Sequence, residues 1–210
     1  MSVRIGVDNL VGAILSEDTN TATTYTEIFQ LPGVMKLNIN PNASQETLFA
    51  DDGPADTATT LGKIEVEIDK ASLTTTEKGK MLGHGVDSNG ALVYGDSDTP
   101  PWMAIGFRTL KSNGKYRYVW LLKGKFMEPE ENNETKGDSI NFQNDTIKGQ
   151  FAKVNKSYTV GGKSVRPWKM EIDEEDSGEN IPNVIKQWFT KPYLPESAQD
   201  ESAQGESAQG

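Results

Sequence analysis

The stretch PWMAIGFRTLKSNGKYRYVWLLKGKFM, residues 101–127, decides the fold of this chain. Within it, Asn113-Gly114 separates two runs rich in aromatic and branched side chains, a pattern typical of a hairpin closed by a type I′ turn. A two-residue turn also sets the register, and it would place Phe107 opposite Trp120. The segment therefore predicts a long antiparallel hairpin.

The second strand of this hairpin, residues 115–126, is unusually long. Its twelve residues would span roughly 40 Å at the rise of an extended strand, whereas most strands have about five or six residues. We expect it to run beyond one small sandwich, or to join a barrel larger than one chain can close. Its alternation puts Trp120 on one face and the basic side chains on the other, so the candidate functional residues of the hairpin are Arg108, Lys115, Arg117, Trp120, Lys123 and Lys125.

The rest of the body also reads as strands and turns. Residues 64–68, IEVEI, alternate strictly, so the branched side chains would face a core and the glutamates solvent. Gly161-Gly162 predicts a second hairpin and Asn89-Gly90 a third. The fold class expected is mainly β.

Two short helices interrupt this pattern. Thr74 and Glu77 form a capping box, and Gly83 is placed as the left-handed residue that ends the helix. Near the end of the chain, Pro182 suits a first helical turn, and the apolar residues that follow fall on one stripe. Both helices are expected to flank the β structure.

Residues 41–62 are rich in Asn, Asp, Thr and Ala and show no apolar alternation. They read as a loop of about twenty residues, a length that is uncommon in a compact domain and often functional. The candidate contact residues of this loop are Phe49, Asp51, Asp52 and Asp56. The spacing of its carboxylates does not match an EF-hand, so no metal is expected there.

The composition excludes several functions. With 21 Lys+Arg against 31 Asp+Glu, the net charge is -10, which argues against a general nucleic-acid binder. The absence of Cys excludes disulfides and thiolate chemistry, and one His excludes a His pair. No apolar run approaches the length of a membrane span or a secretory signal. We expect a soluble chain without cofactor or catalysis.

Charge is unevenly placed along the chain. Residues 99–127 hold six basic groups and no acid, whereas residues 171–179 hold six acids and no base. Three interpretations stay open: pairing between subunits of an assembly, pairing or solvation within one chain, or nucleic-acid binding by the basic hairpin. The residues of a candidate acidic interface or lumen are Glu171, Asp173, Glu174, Glu175 and Asp176.

The last residues differ from the body. Residues 196–210 read ESAQD, ESAQG, ESAQG, with no aromatic or branched aliphatic side chain. Such pentads bury too little to offset the entropy of ordering. We expect one β domain over residues 1–194 and a mobile acidic tail over 195–210, pointing away from any channel.

Several stretches together resemble one protein family. They are LFADDGP at 48–54, TTLGKIEV at 59–66, FRTLKSNGKYRYVWL at 107–121 and TKGDSINFQ at 135–143. With them, residues 3–193 resemble the major tail proteins of siphophages that infect Gram-positive bacteria. The pentad tail departs from the family, some of whose members carry an added immunoglobulin-like domain there.

The resemblance implies a structural virion protein made in the host cytoplasm. Six copies would form a ring, and stacked rings would form the long non-contractile tail tube, with a tail-tube-type β-sandwich or barrel in each subunit. The implied partners are other copies, a tape-measure protein in the lumen, tail terminator and distal tail or baseplate proteins, and DNA in transit without specific binding. The long loop at 41–62 would reach the neighbouring ring. An alternative is a monomeric carbohydrate-binding module of a receptor-binding apparatus, with Trp102, Trp168 or Tyr193 stacking on sugars.

Overall fold

The computed structural model describes residues 2–50, 53–131, 135, 144–178 and 180–195, with backbone alone for 45–50 and 53–59. These residues are mainly β, as predicted, with a large antiparallel sheet and two short helices. The strands are β1 (Arg4–Asp18), β2 (Thr23–Gln30), β3 (Val34–Ala50), β4 (Gly53–Lys70), β5 (Gly85–Val86), β6 (Leu92–Val93), β7 (Met103–Lys111), β8 (Tyr116–Phe126), β9 (Asp145–Ala152), β10 (Tyr158–Val160), β11 (Lys163–Val165) and β12 (Lys169–Asp173), and the helices are α1 (Thr75–Leu82) and α2 (Ile181–Gln187).

The chain divides into two compact units. The first unit comprises Met1–Leu31, Trp102–Lys123 and Lys153–Gly210, and the second comprises Pro32–Pro101 and Gly124–Ala152. The last residues of the long strand β8 belong to the second unit. The long strand β8 therefore contributes residues to both units rather than to one.

In the first unit, antiparallel strands follow the order β2-β1-β7-β8, and β12 pairs with β8 from Arg117 to Leu121. Their apolar face is covered by α2 and the residues that follow it. Trp188 lies directly after α2, is almost fully buried, and accepts a 2.8 Å hydrogen bond at its carbonyl from the indole N–H of Trp120. This core confirms that the helix near Pro182 packs on the sheet.

The hairpin of β7 and β8 is confirmed, but its predicted turn and register are wrong. Gly114 has φ +80° and Asn113 does not have a positive φ, so the turn is not type I′. The Lys111 N–H donates to the Lys115 carbonyl (2.9 Å), and the Gly114 N–H donates to the Lys111 carbonyl (3.0 Å). These bonds define a three-residue connection with a bulge at Gly114, which shifts the pairing by one residue.

The shift changes which residues share a face. Gly106, not Phe107, lies against the Trp120 ring, and the Arg108 guanidinium lies 4.2 Å from the centroid of the Tyr116 ring. Both faces of β7 and β8 are largely buried, and even Lys111 is 5% exposed. The predicted division of the hairpin into an aromatic face and a basic face is therefore wrong for Arg108, which lies with Tyr116.

Gly106 gives a direct test of this packing. A Cβ atom at this position would lie 2.8 Å from three atoms of the Trp120 ring. We expect Gly106→Ala to lower the free energy of unfolding by about 1–3 kcal/mol, the usual cost of overpacking a core. Urea denaturation would measure it against Gly85→Ala, where a Cβ would meet nothing within 4 Å. Equal unfolding midpoints for the two variants would contradict the observed register.

In the second unit, β9, β4 and β3 lie side by side, and β9 pairs with β4 from Ile64 to Lys70. Ile64, Val66 and Ile68 are buried, which confirms the predicted alternation. Phe126 packs edge-on against Phe151, with ring centroids 5.8 Å apart.

The predicted loop at residues 41–62 is wrong. These residues lie mostly in β3 and β4, which pair from Val34↔Lys70 through Ala50↔Gly53. Because β9 reaches only to Ile64, residues 43–50 and 53–61 form a two-stranded ribbon beyond the three-stranded part; we call it the hairpin arm. The described side chains of the arm are exposed or half-buried. The sequence of the arm is mostly polar and shows no apolar alternation, so it resembles that of a loop.

The local predictions for α1 and for the two remaining hairpins are confirmed. The Thr74 hydroxyl accepts from the Glu77 N–H at 3.3 Å, the Glu77 carboxylate accepts from the Thr74 N–H at 2.8 Å, and Gly83 has φ +79°. Gly161 and Gly162 both have positive φ and join β10 to β11 as a type I′ turn. A hairpin also forms around Gly90, between β5 and β6.

Candidate functional site

The predicted basic residues of the β7–β8 hairpin lie in the first unit, apart from Lys125. The Arg108 guanidinium donates to both carboxylate oxygens of Asp8, at 2.7 and 3.0 Å. This bidentate bond raises the pKa of Arg108 further above its usual range. Lys123 donates to Asp18 at 2.5 Å and lies 4.9 Å from the Trp102 ring centroid. Two of the predicted cations are therefore neutralised by acids of β1.

The other hairpin candidates differ in burial. Trp120 is fully buried and belongs to the core of the first unit, so it offers no surface for a partner. Lys115 is exposed beside the turn, and Lys125 in the second unit is half-buried. Of the six, only Lys115 presents an exposed side chain.

The acidic segment folds over the turn of the same hairpin. Asp173 accepts from the Lys111 ammonium at 2.8 and 2.9 Å, and from Arg117 at 3.1 Å. Burial raises the pKa of Asp173, but the hydrogen bonds and charges of the two cations outweigh it and hold that pKa below its usual range. Lys111 also pairs with Glu175.

The remaining acids extend this cluster. The Glu174 carboxylate accepts from the Tyr116 N–H at 3.0 Å and from the Tyr118 hydroxyl at 2.9 Å. Burial and this bond to Glu174 raise the pKa of Tyr118. Glu171 pairs with Lys169, and Asp176 accepts from the Asp173 N–H at 3.1 Å. Of the three interpretations of the charge pattern, the observed ion pairs correspond to pairing within the chain.

Two of the contact residues predicted for residues 41–62 lie near the end of the hairpin arm. Phe49 pairs with Pro54, and Asp56 pairs with Leu48, along the two strands. Asp51 and Asp52 lie outside the described residues, as does the acidic tail from 196 onward. The structure thus brings Phe49 and Asp56 to neighbouring positions at one end of a ribbon.

The base of the arm is locally irregular. The β3–β4 register shifts between Pro41 and Ala43, and a Cβ at Gly62 would lie 2.4 Å from the Asn42 carbonyl oxygen. Such close backbone approach admits only glycine. Beyond it, the Ser44 and Thr60 hydroxyls lie 2.8 Å apart across the ribbon.

Sequence reasoning missed two polar clusters in the second unit. Lys70, 1% exposed, pairs with Glu77 at 2.5 Å. His84 lies between the carboxylates of Asp98 and Glu128. Glu77 could be found through its capping box, but the partners of His84 lie 14 and 44 residues away, beyond the reach of local motifs.

A groove of about 650 Å³ lies in the first unit beside α2. Its walls include tyrosines, amides and two lysines, among them Tyr158, Asn183, Gln187, Lys191 and Tyr193. Tyr193 stacks on Trp188 with ring centroids 5.1 Å apart. Aromatic faces beside amide donors are features of sugar-binding sites, although Tyr193 is itself half-buried.

Comparison with known proteins adds no assignment: the chain matches no protein-family model and no curated protein. Among the described residues, no helix is long and apolar enough to span a membrane. Within the same ranges, no group of three or more His, Asp or Glu side chains is arranged to hold a metal ion.

Proposed function

We propose that this chain is the subunit of a long, non-contractile phage tail tube, built from stacked rings of six copies. The hairpin arm carries the proposal. Residues 43–50 and 53–61 extend roughly 30 Å as strands, and along the described arm β3 and β4 pair only with each other. An isolated two-stranded ribbon is marginally stable in water. It is well suited to dock on a neighbouring subunit, in the next ring.

Free strand edges support ring formation. β2 and β3 each have a strand partner on one side only in the described part of the chain, and β3 has 17 residues. Long open edges invite aggregation unless they are covered, and closure into a barrel removes them. Neighbouring copies within a ring would cover these edges.

The net charge of -10 supports passage of DNA without binding. A conduit lined by acids repels phosphate and lets the genome slide. The paired cations of the first unit fit this role, because their charge is already neutralised within the chain. The resemblance at residues 107–121 supplies the further partners: a tape-measure protein inside, and terminator and distal tail proteins at the ends.

Electron microscopy of the purified full chain in negative stain tests the proposal. We expect hollow tubes or six-fold rings as concentration rises, and more of them at higher salt, because salt screens repulsion between acidic copies. Sedimentation over the same range would follow the change in mass. A monodisperse monomer under all these conditions would contradict unassisted self-assembly.

The groove beside α2 favours a second candidate, a carbohydrate-binding module. If this candidate is correct, adding a panel of sugars to the monomer should shift the Tyr158 and Tyr193 ring resonances. These sugar-induced shifts should disappear in Gln187→Ala. Tube formation without such shifts would favour the tail-tube proposal.

A further inference from the structure

The chain's only histidine lies in a two-sided carboxylate site in the second unit. The Nδ1 atom of His84 lies 2.6 Å from the Asp98 Oδ2, and the Nε2 atom lies 3.1 and 3.2 Å from the two oxygens of Glu128. The ring packs on Tyr94 at a centroid distance of 4.3 Å, and its side chain is 6% exposed.

Each carboxylate is an acceptor, so both ring nitrogens must donate for both bonds to exist. Neutral imidazole carries one N–H, whereas imidazolium carries two. We propose that His84 is a pH-operated fastener: protonated, it ties Asp98 and Glu128 together, and deprotonated, it keeps Asp98 and releases Glu128.

The surroundings of the two carboxylates determine which bond to His84 breaks when the ring loses a proton. The Asp98 carboxylate is 20% exposed, makes the shorter bond, and also accepts from the Gly95 N–H at 2.8 Å. The Glu128 carboxylate is 53% exposed and can turn to water. When one proton leaves, it therefore leaves Nε2, and the bare lone pair then faces Glu128 and repels it.

The fastener joins three segments of the second unit. His84 directly follows the Gly83 cap of α1, Asp98 organises the turn at residues 95–98, and Glu128 follows β8. A second tie lies nearby, because Lys78 of α1 pairs with Glu131. Releasing Glu128 would leave the segment after β8 held through Glu131.

The direction of the pH effect follows from the charges facing the ring. Burial lowers the pKa of His84, but the hydrogen bonds and charges of Asp98 and Glu128 outweigh it, so the pKa lies above 6.5. The Gly95 N–H and the bond from His84 hold the pKa of Asp98 below its usual range. The stability that this link contributes is fully present below the pKa of an unfolded-state histidine, about 6.5, and is lost as the pH rises through the higher pKa of folded His84.

The test is a nitrogen-15 NMR titration of the full chain, which follows both ring nitrogens of one histidine. We expect a midpoint above 6.5, a neutral form protonated on Nδ1, and a Glu128 amide resonance that shifts with the same midpoint. Glu128→Gln should lower the midpoint and keep the Nδ1 proton. Glu130→Gln, the same change at an exposed neighbour, should leave both unchanged.

Three results would overturn the proposal. They are a midpoint at or below 6.5, a neutral form protonated on Nε2, and equal midpoints in Glu128→Gln and Glu130→Gln. Glu128 lies on the surface, so its variant tests the bond without unfolding the core.

Discussion

Glu77→Ala should lower the free energy of unfolding by about 3–5 kcal/mol, the usual cost of breaking one side of a buried ion pair. The Glu77 carboxylate lies 2.5 Å from the ammonium of Lys70, and Lys70 is only 1% exposed. The same carboxylate accepts from the Thr74 N–H and caps α1. Alanine therefore removes the side-chain half of the capping box and leaves a buried cation without its counter-charge.

Urea denaturation followed by circular dichroism would measure this loss. The double variant Lys70→Met with Glu77→Gln should recover most of it, because both charges disappear while Gln can still cap the helix. Glu67→Ala is the control: the Lys148 ammonium that it pairs with is exposed and 3.6 Å away, so the loss should be about 0.5 kcal/mol. A loss below about 1 kcal/mol for Glu77→Ala would contradict a dry, paired Lys70.

The features that the sequence predicts correctly are local. The capping box at Thr74, the left-handed Gly83 and the Gly161-Gly162 turn each depend on residues within a few positions. The alternation at residues 64–68 also predicts which of its side chains are buried. Mainly β structure with two short helices follows from such signals alone.

The register of the β7–β8 hairpin was harder to predict, because Asn113-Gly114 fits two kinds of turn. Asn-Gly suits a two-residue type I′ turn, but Gly114 alone in the left-handed region suits a three-residue connection. The difference is one residue, and it moves Arg108 onto the Tyr116 face. Choosing between the turns depends on the packing of Gly106 against Trp120, which no local pattern reveals.

The ion pairs of the charge clusters could not be predicted, because they depend on three-dimensional proximity. The opposite charges of residues 99–127 and 171–179 are evident from the sequence. Whether these segments meet within one chain or between chains depends on where β12 pairs. That pairing sets Asp173 opposite Arg117 and beside Lys111. The candidate acidic interface is thus largely occupied from within.

Shortening the hairpin arm should abolish tube formation while leaving the subunit folded. The variant replaces residues 45–59 by Asn-Gly, so that Ser44 and Thr60, already paired across the ribbon, flank a type I′ turn. The arm lies beyond the last β4–β9 pair at Ile64, so the three-stranded part stays intact. We expect an unfolding midpoint close to that of the unchanged chain, and no tubes at concentrations where that chain assembles.

Electron microscopy of the shortened chain separates the contacts within a ring from those between rings. Single rings that fail to stack would support the arm as the inter-ring contact, because the free edges of β2 and β3 would still close each ring. A control with Asn-Gly in place of Gly161-Gly162 introduces the same turn between β10 and β11, where both residues already have positive φ, and should form normal tubes. Normal tubes from the shortened chain would contradict the arm's role, because rings would then stack without it.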